Sequence, residues 1–189
     1  MSLRRIAVII AGTLLIGLVV PLPTAARPLA AIKADGTLRV GLTGDYAPYS
    51  MRGPDGQFSG ADVTMAAELA RSLGVVLVIV PTAWKTLQAD LAADRFDIAM
   101  GGVSVTPDRG AAADFSIPVL HDGKRPIARC ADKDRFTSIH AIDRPGVRVV
   151  VNPGGTNERF ARANLNHAAL SEHPTTGRFS MRSPPATPT

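Results

Sequence analysis

Two stretches of this sequence carry residues whose types and spacing could hold a small anion. The first, residues 97–118, reads DIAMGGVSVTPDRGAAADFSIP. A glycine pair, Gly101 and Gly102, precedes the hydroxyls of Ser104 and Thr106 and then Arg109. Thr106 can cap a helix, Pro107 suits its first position and Asp108 favours its positive end. Arg109 would sit in that first turn, where a cation opposes the helix dipole. A guanidinium grips a carboxylate through two parallel hydrogen bonds, so a bound carboxylate would account for it. A solvated arginine balanced by Asp108 would account for it equally. The second stretch is NPGGTNE, residues 152–158, where two glycines follow an apolar strand and Thr156 can cap a helix. Backbone N–H groups at such a turn form an anion site. An ordinary strand-to-helix turn has the same composition.

The elements that must position these residues follow from apolar periodicity. A lead-in helix over Ala30–Asp35 should end at Gly36, and LRVGL, Leu38 to Leu42, reads as a strand running into Thr43-Gly44-Asp45-Tyr46. Pro54-Asp55-Gly56 is a turn signal, making Tyr49 to Phe58 a hairpin-like excursion. Val63, Ala66, Ala67, Ala70 and Leu73 recur at helical spacing and predict a helix from Asp62 to Leu73, stopped by Gly74. The continuous run Val75 to Val80 predicts a strand buried on both faces. Thr82 can then cap a helix over Ala83–Ala93, with Trp84, Leu87 and Leu91 as its apolar stripe, and a strand follows at Ile98–Met100.

This β-α-β-α-β order predicts a parallel sheet flanked by helices. Ligands bind such sheets beyond the carboxyl ends of the strands, here Thr43-Gly44-Asp45 and Gly101 to Ser104. Phe115 to Cys130, with Pro118, Pro126 and an Asp122-Gly123 turn, reads as extended chain crossing into a second domain. There a short helix is predicted over Phe136–Ile142, a strand over Val147–Val151 and a helix from Thr156 to about Asn166.

The formal charge of +5 is concentrated at the ends. Arg4 and Arg5 in residues 1–26, and Arg178 and Arg182 in residues 174–189, have no acidic neighbours there, which leaves residues 27–173 at about +1. That balance, with no basic run interleaved with aromatics, excludes a nucleic-acid partner. Arg4 and Arg5, the apolar run Ile6 to Val20, Pro21 and Pro23, and Thr24-Ala25-Ala26 have the order of a secretory signal cleaved before Arg27. No stable membrane span is expected after that cleavage, because no other segment is apolar enough. Cys130 is the single cysteine, either a small buried residue or one lacking its partner. The last residues, 174–189, hold four prolines, no acids and no apolar period. They read as a disordered tail or, the preferred expectation, as a shifted reading frame: suitable codons for Arg178–Ser183 spell the helix-like IFDEIA in another frame.

Three strand-end loops thus point to a two-domain clamp around a small carboxylate. GLTGDYAPYS, DGQFSGADVTMAAELARSLG, DRFDIAMGGVSVTPDRGAAADFSIP and NPGGTNERFARANL resemble the periplasmic amino-acid-type solute-binding proteins, family 3. Within that superfamily HDGKRPIARC, IDRPGVRVVVNPGGTNERFARANL and Trp84 are similar to the cyclohexadienyl (prephenate/arogenate) dehydratases. The resemblance covers about Leu38 to Pro174. It implies an α/β, periplasmic-binding-protein-like two-domain clamp with an incomplete second domain. The implied layout is a signal peptide at 1–26, a first α/β domain at 27–122, a crossing segment and partial second domain at 123–173, and an aberrant or disordered tail at 174–189.

The same resemblance implies a carbon–oxygen lyase of phenylalanine biosynthesis that converts prephenate to phenylpyruvate, or arogenate to phenylalanine, with no cofactor and no metal. Arg109 matches the carboxylate-binding arginine, Ser104 and Thr106 the hydroxyls of the same subsite, and Thr156 and Asn157 the second-domain subsite. Trp84 matches an aromatic wall and Asp45 a first-domain cleft position, and Tyr46 is expected to line the cleft rim. Glu158, in a first helical turn that favours its anion, reads as structural. The general-acid glutamate of the dehydratases lies in a segment that nothing in residues 174–189 resembles, so no catalytic residue is assigned and this copy is expected to be inactive. The alternative is an amino-acid binding protein that delivers its ligand to an ABC permease.

Overall fold

The computed structural model describes residues 26–172, so the expected signal and tail lie outside the described residues. The chain begins with α1 (Leu29–Asp35), which ends at Gly36 and turns into β1 (Thr37–Leu42). The excursion is a small antiparallel sheet of β2 (Asp45–Tyr46), β3 (Ser50–Arg52) and β4 (Phe58–Ser59). Then come α2 (Ala61–Leu73), β5 (Val76–Pro81), α3 (Leu87–Ala92), β6 (Ile98–Ala99) and the single turn α4 (Pro107–Gly110). The parallel sheet has the order β5-β1-β6, with Val40 opposite both Ile79 and Ile98. Its core is Ile32, Leu38, Val40 and Leu42 packed on Ala66 and Ala70 of α2.

Residues 112–129 carry no regular structure, as their prolines lead one to expect. A short 3-10 turn (Cys130–Asp132), α5 (Ile139–Ile142), β7 (Arg148–Val151), α6 (Thr156–Asn164) and β8 (Ala169–Glu172) follow, with β7 and β8 paired in parallel. Among the described residues no helix is long and apolar enough to cross a membrane.

Several expectations are corrected. β5 is an edge strand among the described residues: alternate residues face the core, and Val76 is 66% exposed, so its apolar run is covered on one side. Ala67 faces solvent, because Asp62, Ala66 and Ala70 set the buried stripe of α2. The helix expected from Ala83 starts at Leu87 instead. Asp90 explains this, since its carboxylate draws in the hydroxyls of Thr82 (2.6 Å) and Thr86 (2.8 Å) and the Arg95 guanidinium (2.8 Å). Thr82 therefore caps nothing, and Trp84 lies in the preceding turn rather than on a helical stripe. Cys130 is exposed, which removes the buried alternative. β8 was not expected, because Ala-Leu-Ser-Glu carries no strand pattern and its place comes from pairing with β7.

The amino-terminal end of the sheet is tied by charge. Asp97, whose side chain is 1% exposed, accepts Arg27 Nη2 (2.7 Å), Arg39 Nη2 (2.7 Å) and the Arg39 backbone N–H (2.7 Å). Burial alone would raise its pKa; the hydrogen bonds from Arg27 and Arg39 outweigh that and hold it at about 2. The folded-state value thus lies below the unfolded one, and the stabilisation is complete above the ordinary carboxylate range. It is lost as pH falls toward 2, a contribution of about 2 kcal/mol. Chemical denaturation between pH 5 and pH 2 should show this acid-dependent loss, and Asp97→Asn should lower stability at pH 7 while flattening the slope. An unchanged slope in the variant would sink the assignment.

Candidate functional site

The cleft is built where the strands end. Asp62, in the first turn of α2 and 7% exposed, accepts the backbone N–H groups of Gly101 (2.6 Å) and Gly102 (2.8 Å). These bonds turn the chain after β6 across the sheet end. Gly102 has φ +72°, and a Cβ there would lie 2.7 Å from Tyr46 Cε1, so only glycine lets the ring rest on the backbone. Tyr46 meets Tyr49 with centroids 5.2 Å apart and meets Trp84 edge-on at 5.9 Å. Burial, followed by the charges expected on Tyr49 and Asp122, raises the Tyr46 phenol above its ordinary value, so it stays neutral.

Arg109 is neither solvated nor balanced by Asp108. It is 4% exposed, and α4 is a single turn whose dipole matters little. Thr106 does cap that turn, its Oγ1 accepting the Arg109 N–H at 3.4 Å. The guanidinium donates through Nη1 to the Ser104 carbonyl (2.9 Å) and lies 5.9 Å from the Trp84 ring centroid. Among the described residues no carboxylate pairs with it. Desolvation lowers its pKa first, and the charge of Arg159 adds to that; it remains a cation at neutral pH.

The second lobe approaches at β7 and α6. Gly154 has φ +77°, and a Cβ there would lie 2.7 Å from Lys85 Cα, so the loop passes close to the turn that carries Trp84. Gly155, not Thr156, is the cap residue of α6, and Thr156 is the first helical residue. Glu158 accepts the Gly154 N–H (2.6 Å) and Arg162 Nε (2.7 Å), which together hold its carboxyl below the usual range. The Thr156 hydroxyl meets Lys124 instead: Lys124 Nζ donates to Thr156 Oγ1 (2.6 Å) and Asn157 Oδ1 (2.7 Å). Desolvation and the charges of Arg109 and Arg159 lower the Lys124 ammonium pKa.

A space of about 20 Å³ between the lobes is lined by four of the residues singled out as substrate-binding, Trp84, Ser104, Thr156 and Asn157, by Tyr46 of the expected rim, and by Gly102, Asn152, Gly155 and Lys124. Arg109 is not part of this lining but touches it through the Ser104 carbonyl and the Trp84 ring, and Thr106 does not line it. Asp45 is not free: its carboxylate accepts Trp84 Nε1 (2.9 and 3.1 Å) and Asn152 Nδ2 (3.2 Å), a bridge between residues 107 positions apart. Lys124 and Asn152 were not singled out from sequence. Lys124 lies in an exposed extended stretch where a lysine reads as a solvated charge, and only its place in HDGKRP, part of the dehydratase resemblance, marked it.

Comparison with known proteins agrees with this architecture. Residues 38–173 match the bacterial extracellular solute-binding proteins, family 3. The chain is 54% identical over 143 residues to a cyclohexadienyl dehydratase of Pseudomonas aeruginosa, covering 76% of this chain and 53% of that protein. It is 34% identical over 134 residues to the L-cystine-binding protein TcyJ of Escherichia coli, covering 71% of this chain and 50% of the other. Its fold matches the crystal structure of an ancestral amino acid-binding protein, a precursor of cyclohexadienyl dehydratase. The TM-score is 0.71 at 36% identity over 77% of this chain and 64% of that one. The chain therefore spans about half the length of the curated relatives it matches. By its sequence, its parallel α/β sheet and its lobed cleft, the chain belongs to the bacterial extracellular solute-binding proteins, family 3.

Proposed function

We propose that this chain carries the substrate-gripping part of an extracytoplasmic dehydratase of the cyclohexadienyl type, divided into a first lobe at 27–122 and a second from 123. The substrate is prephenate or arogenate. In the reaction the bond to the ring carboxylate breaks and carbon dioxide leaves. Its electron pair completes the aromatic ring, and the ring hydroxyl departs as hydroxide, which one proton converts to water. The observation that carries the reading is Arg109, a buried cation with no carboxylate partner among the described residues, beside Trp84 and the cleft. A buried unpaired charge is costly, and a substrate carboxylate would satisfy it.

In this reading Arg109, Ser104 and Thr106 hold one carboxylate, Thr156 and Asn157 face the other side, and Trp84 and Tyr46 form the ring wall. Asp45 acts as a tie between the lobes, holding the Trp84 indole and the Asn152 amide together. No cofactor takes part in this chemistry. A proton for the leaving hydroxyl is a different matter. Asp45 and Glu158 are both engaged as acceptors, and no free carboxylic acid lines the cleft among the described residues. General acids contribute roughly 10²–10⁴-fold, so the 189-residue chain should bind without appreciable turnover. The second reading, an amino-acid receptor serving an ABC permease, is favoured by the kinship with the cystine-binding protein.

Isothermal titration with prephenate, phenylpyruvate and polar amino acids, beside an assay of phenylpyruvate formation, separates the readings. Binding of the aromatic acids with no turnover is expected. Selective tight binding of a polar amino acid would favour the receptor, and turnover near that of a full-length dehydratase would overturn the assignment of this chain to binding alone. Arg109→Gln should cost about 1.5–3 kcal/mol of ligand affinity, roughly 10–100-fold, and Arg109→Lys should recover only part of it. Trp84 is the only tryptophan of the chain, so its emission reports the tie to Asp45. Asp45→Ala should shift that emission to longer wavelength, and an unchanged spectrum would show that the carboxylate does not hold the indole.

A further inference from the structure

We infer that residues 115–129, the stretch that crosses between the lobes, are a docking surface whose two runs, on either side of Asp122-Gly123, pair with strands of a second polypeptide. That partner carries the part of the family 3 fold that follows the matched stretch in the relatives. The inference concerns assembly and does not depend on the proposed dehydratase reading.

Apolar side chains and backbone are both open along this stretch. Ile117, Val119 and Ile127 are 86%, 74% and 79% exposed, and Phe115 and Leu120 also face solvent. Single exposed apolar residues are ordinary, but five so close together in sequence make a patch. Phe115, Ile117 and Val119 alternate, so an extended chain presents them on one side. Among the described residues, none of 114–128 exchanges a hydrogen bond with another backbone group. Their N–H and C=O groups are free to take a strand. Pro118 and Pro126 have no N–H, which limits each run to pairing along one edge. The stretch is also held in place, because Lys124 Nζ donates to Thr156 Oγ1 (2.6 Å) and Asn157 Oδ1 (2.7 Å). An anchored, unpaired edge is a template for strand addition.

The neighbouring elements are open in the same sense. The sheet of β7 and β8 has two strands among the described residues, few for a sheet that stands alone, and Val150 on it is 51% exposed. β5 is the outer strand of its own sheet. The Pseudomonas aeruginosa dehydratase is matched over 53% of its length, and the ancestral binding protein over 64% of its chain. Each of these relatives therefore carries a large further share of the same two-lobed fold, and a polypeptide of that kind brings the strands that these edges can take. Two other occupants fit less well. Residues 174–189 hold four prolines and no apolar period, which suits neither run. A second copy would bring Lys124, Arg125 and Arg129 against their own counterparts, with Asp122 as the one acid between 115 and 129.

The test is co-expression of the tagged 189-residue chain with a separate polypeptide, the part of the Pseudomonas aeruginosa cyclohexadienyl dehydratase that follows the matched stretch. An equimolar complex is expected by native mass spectrometry, with amide hydrogen exchange at 115–129 slowed about tenfold or more relative to the chain alone. Ile117→Lys and Ile127→Lys change side chains that stand in solvent, so each should leave the melting temperature of the chain unchanged and cut capture of the polypeptide about tenfold or more. Met65→Lys, on the exposed side of α2, should leave capture unchanged. Absence of the polypeptide from the purified chain would overturn the inference, as would a complex in which exchange at 115–129 is unaltered or capture survives both isoleucine substitutions. Protection of 115–129 in the monomeric chain alone would assign the surface to residues 173–189, and protection that grows with concentration would assign it to a second copy; either result overturns the proposed partner. The readout is assembly rather than turnover, so the outcome leaves the dehydratase reading to its own test.

Discussion

The carboxylate of Asp62 is the joint on which the cleft turns. It sits in the first turn of α2, where the helix end favours an anion, and it accepts two successive backbone N–H groups, those of Gly101 and Gly102. No arginine or lysine pairs with it among the described residues, so its burial rests on those two bonds and on the helix. The packing of Ala66 and Ala70 into the core fixes where α2 lies, and Asp62 passes that position to the loop after β6. Tyr46 then rests on the bare Cα of Gly102, and the Ser104 carbonyl is set to receive Arg109. Core packing and cleft geometry are joined through one side chain.

The two ends of the parallel sheet treat charge in opposite ways. Before β6, Asp97 is buried with two guanidiniums closing around it, and Arg39 also reaches Asp94. That is the arrangement expected of a structural ion cluster, in which each buried charge has a partner. Beyond the strands, Arg109 is as thoroughly buried and has a single carbonyl for company, while Lys124 has only hydroxyl and amide oxygens. Charges compensated at one end of the sheet and cations without a carboxylate at the other fit the anion-binding role proposed for the cleft. Perturbed, unsatisfied groups of this kind gather at binding sites.

Much of this was legible in the residues. The alternation of strand and helix, the glycine stops and the loops at Gly101–Ser104 and Asn152–Gly155 were readable because local chemistry decides them. Thr106 and Pro107 marked α4 for the same reason. What escaped depended on distant partners. Val75–Val80 has the composition of a doubly buried strand, yet exposure is a property of neighbours that the run does not encode. Thr82 looks like a cap until Asp90, eight residues on, takes its hydroxyl. Lys124 and Thr156 are 32 positions apart, and nothing near either one announces the other. The strand-end loop and the family resemblance pointed Asp45 toward the cleft, whereas its engagement with Trp84 and Asn152 required the fold.

In the proposed reading, the same field that favours an anion bears on the proton that a dehydration would need. Any carboxyl brought beside Lys124, Arg109 and Arg159 has its anion stabilised and its pKa lowered, the wrong direction for a general acid at neutral pH. A dianionic ligand changes the balance. Its two carboxylates would offset two of those positive charges, and its ring, against Trp84 and Tyr46, would exclude water from the remaining space. Desolvation raises a carboxyl pKa, and so does a nearby anion, so the occupied cleft is a better place for a protonated acid than the empty one. In the proposed dehydratase reading, binding and proton donation are therefore coupled through charge: the cations that draw the substrate in would disarm an acid until the substrate has offset most of their charge.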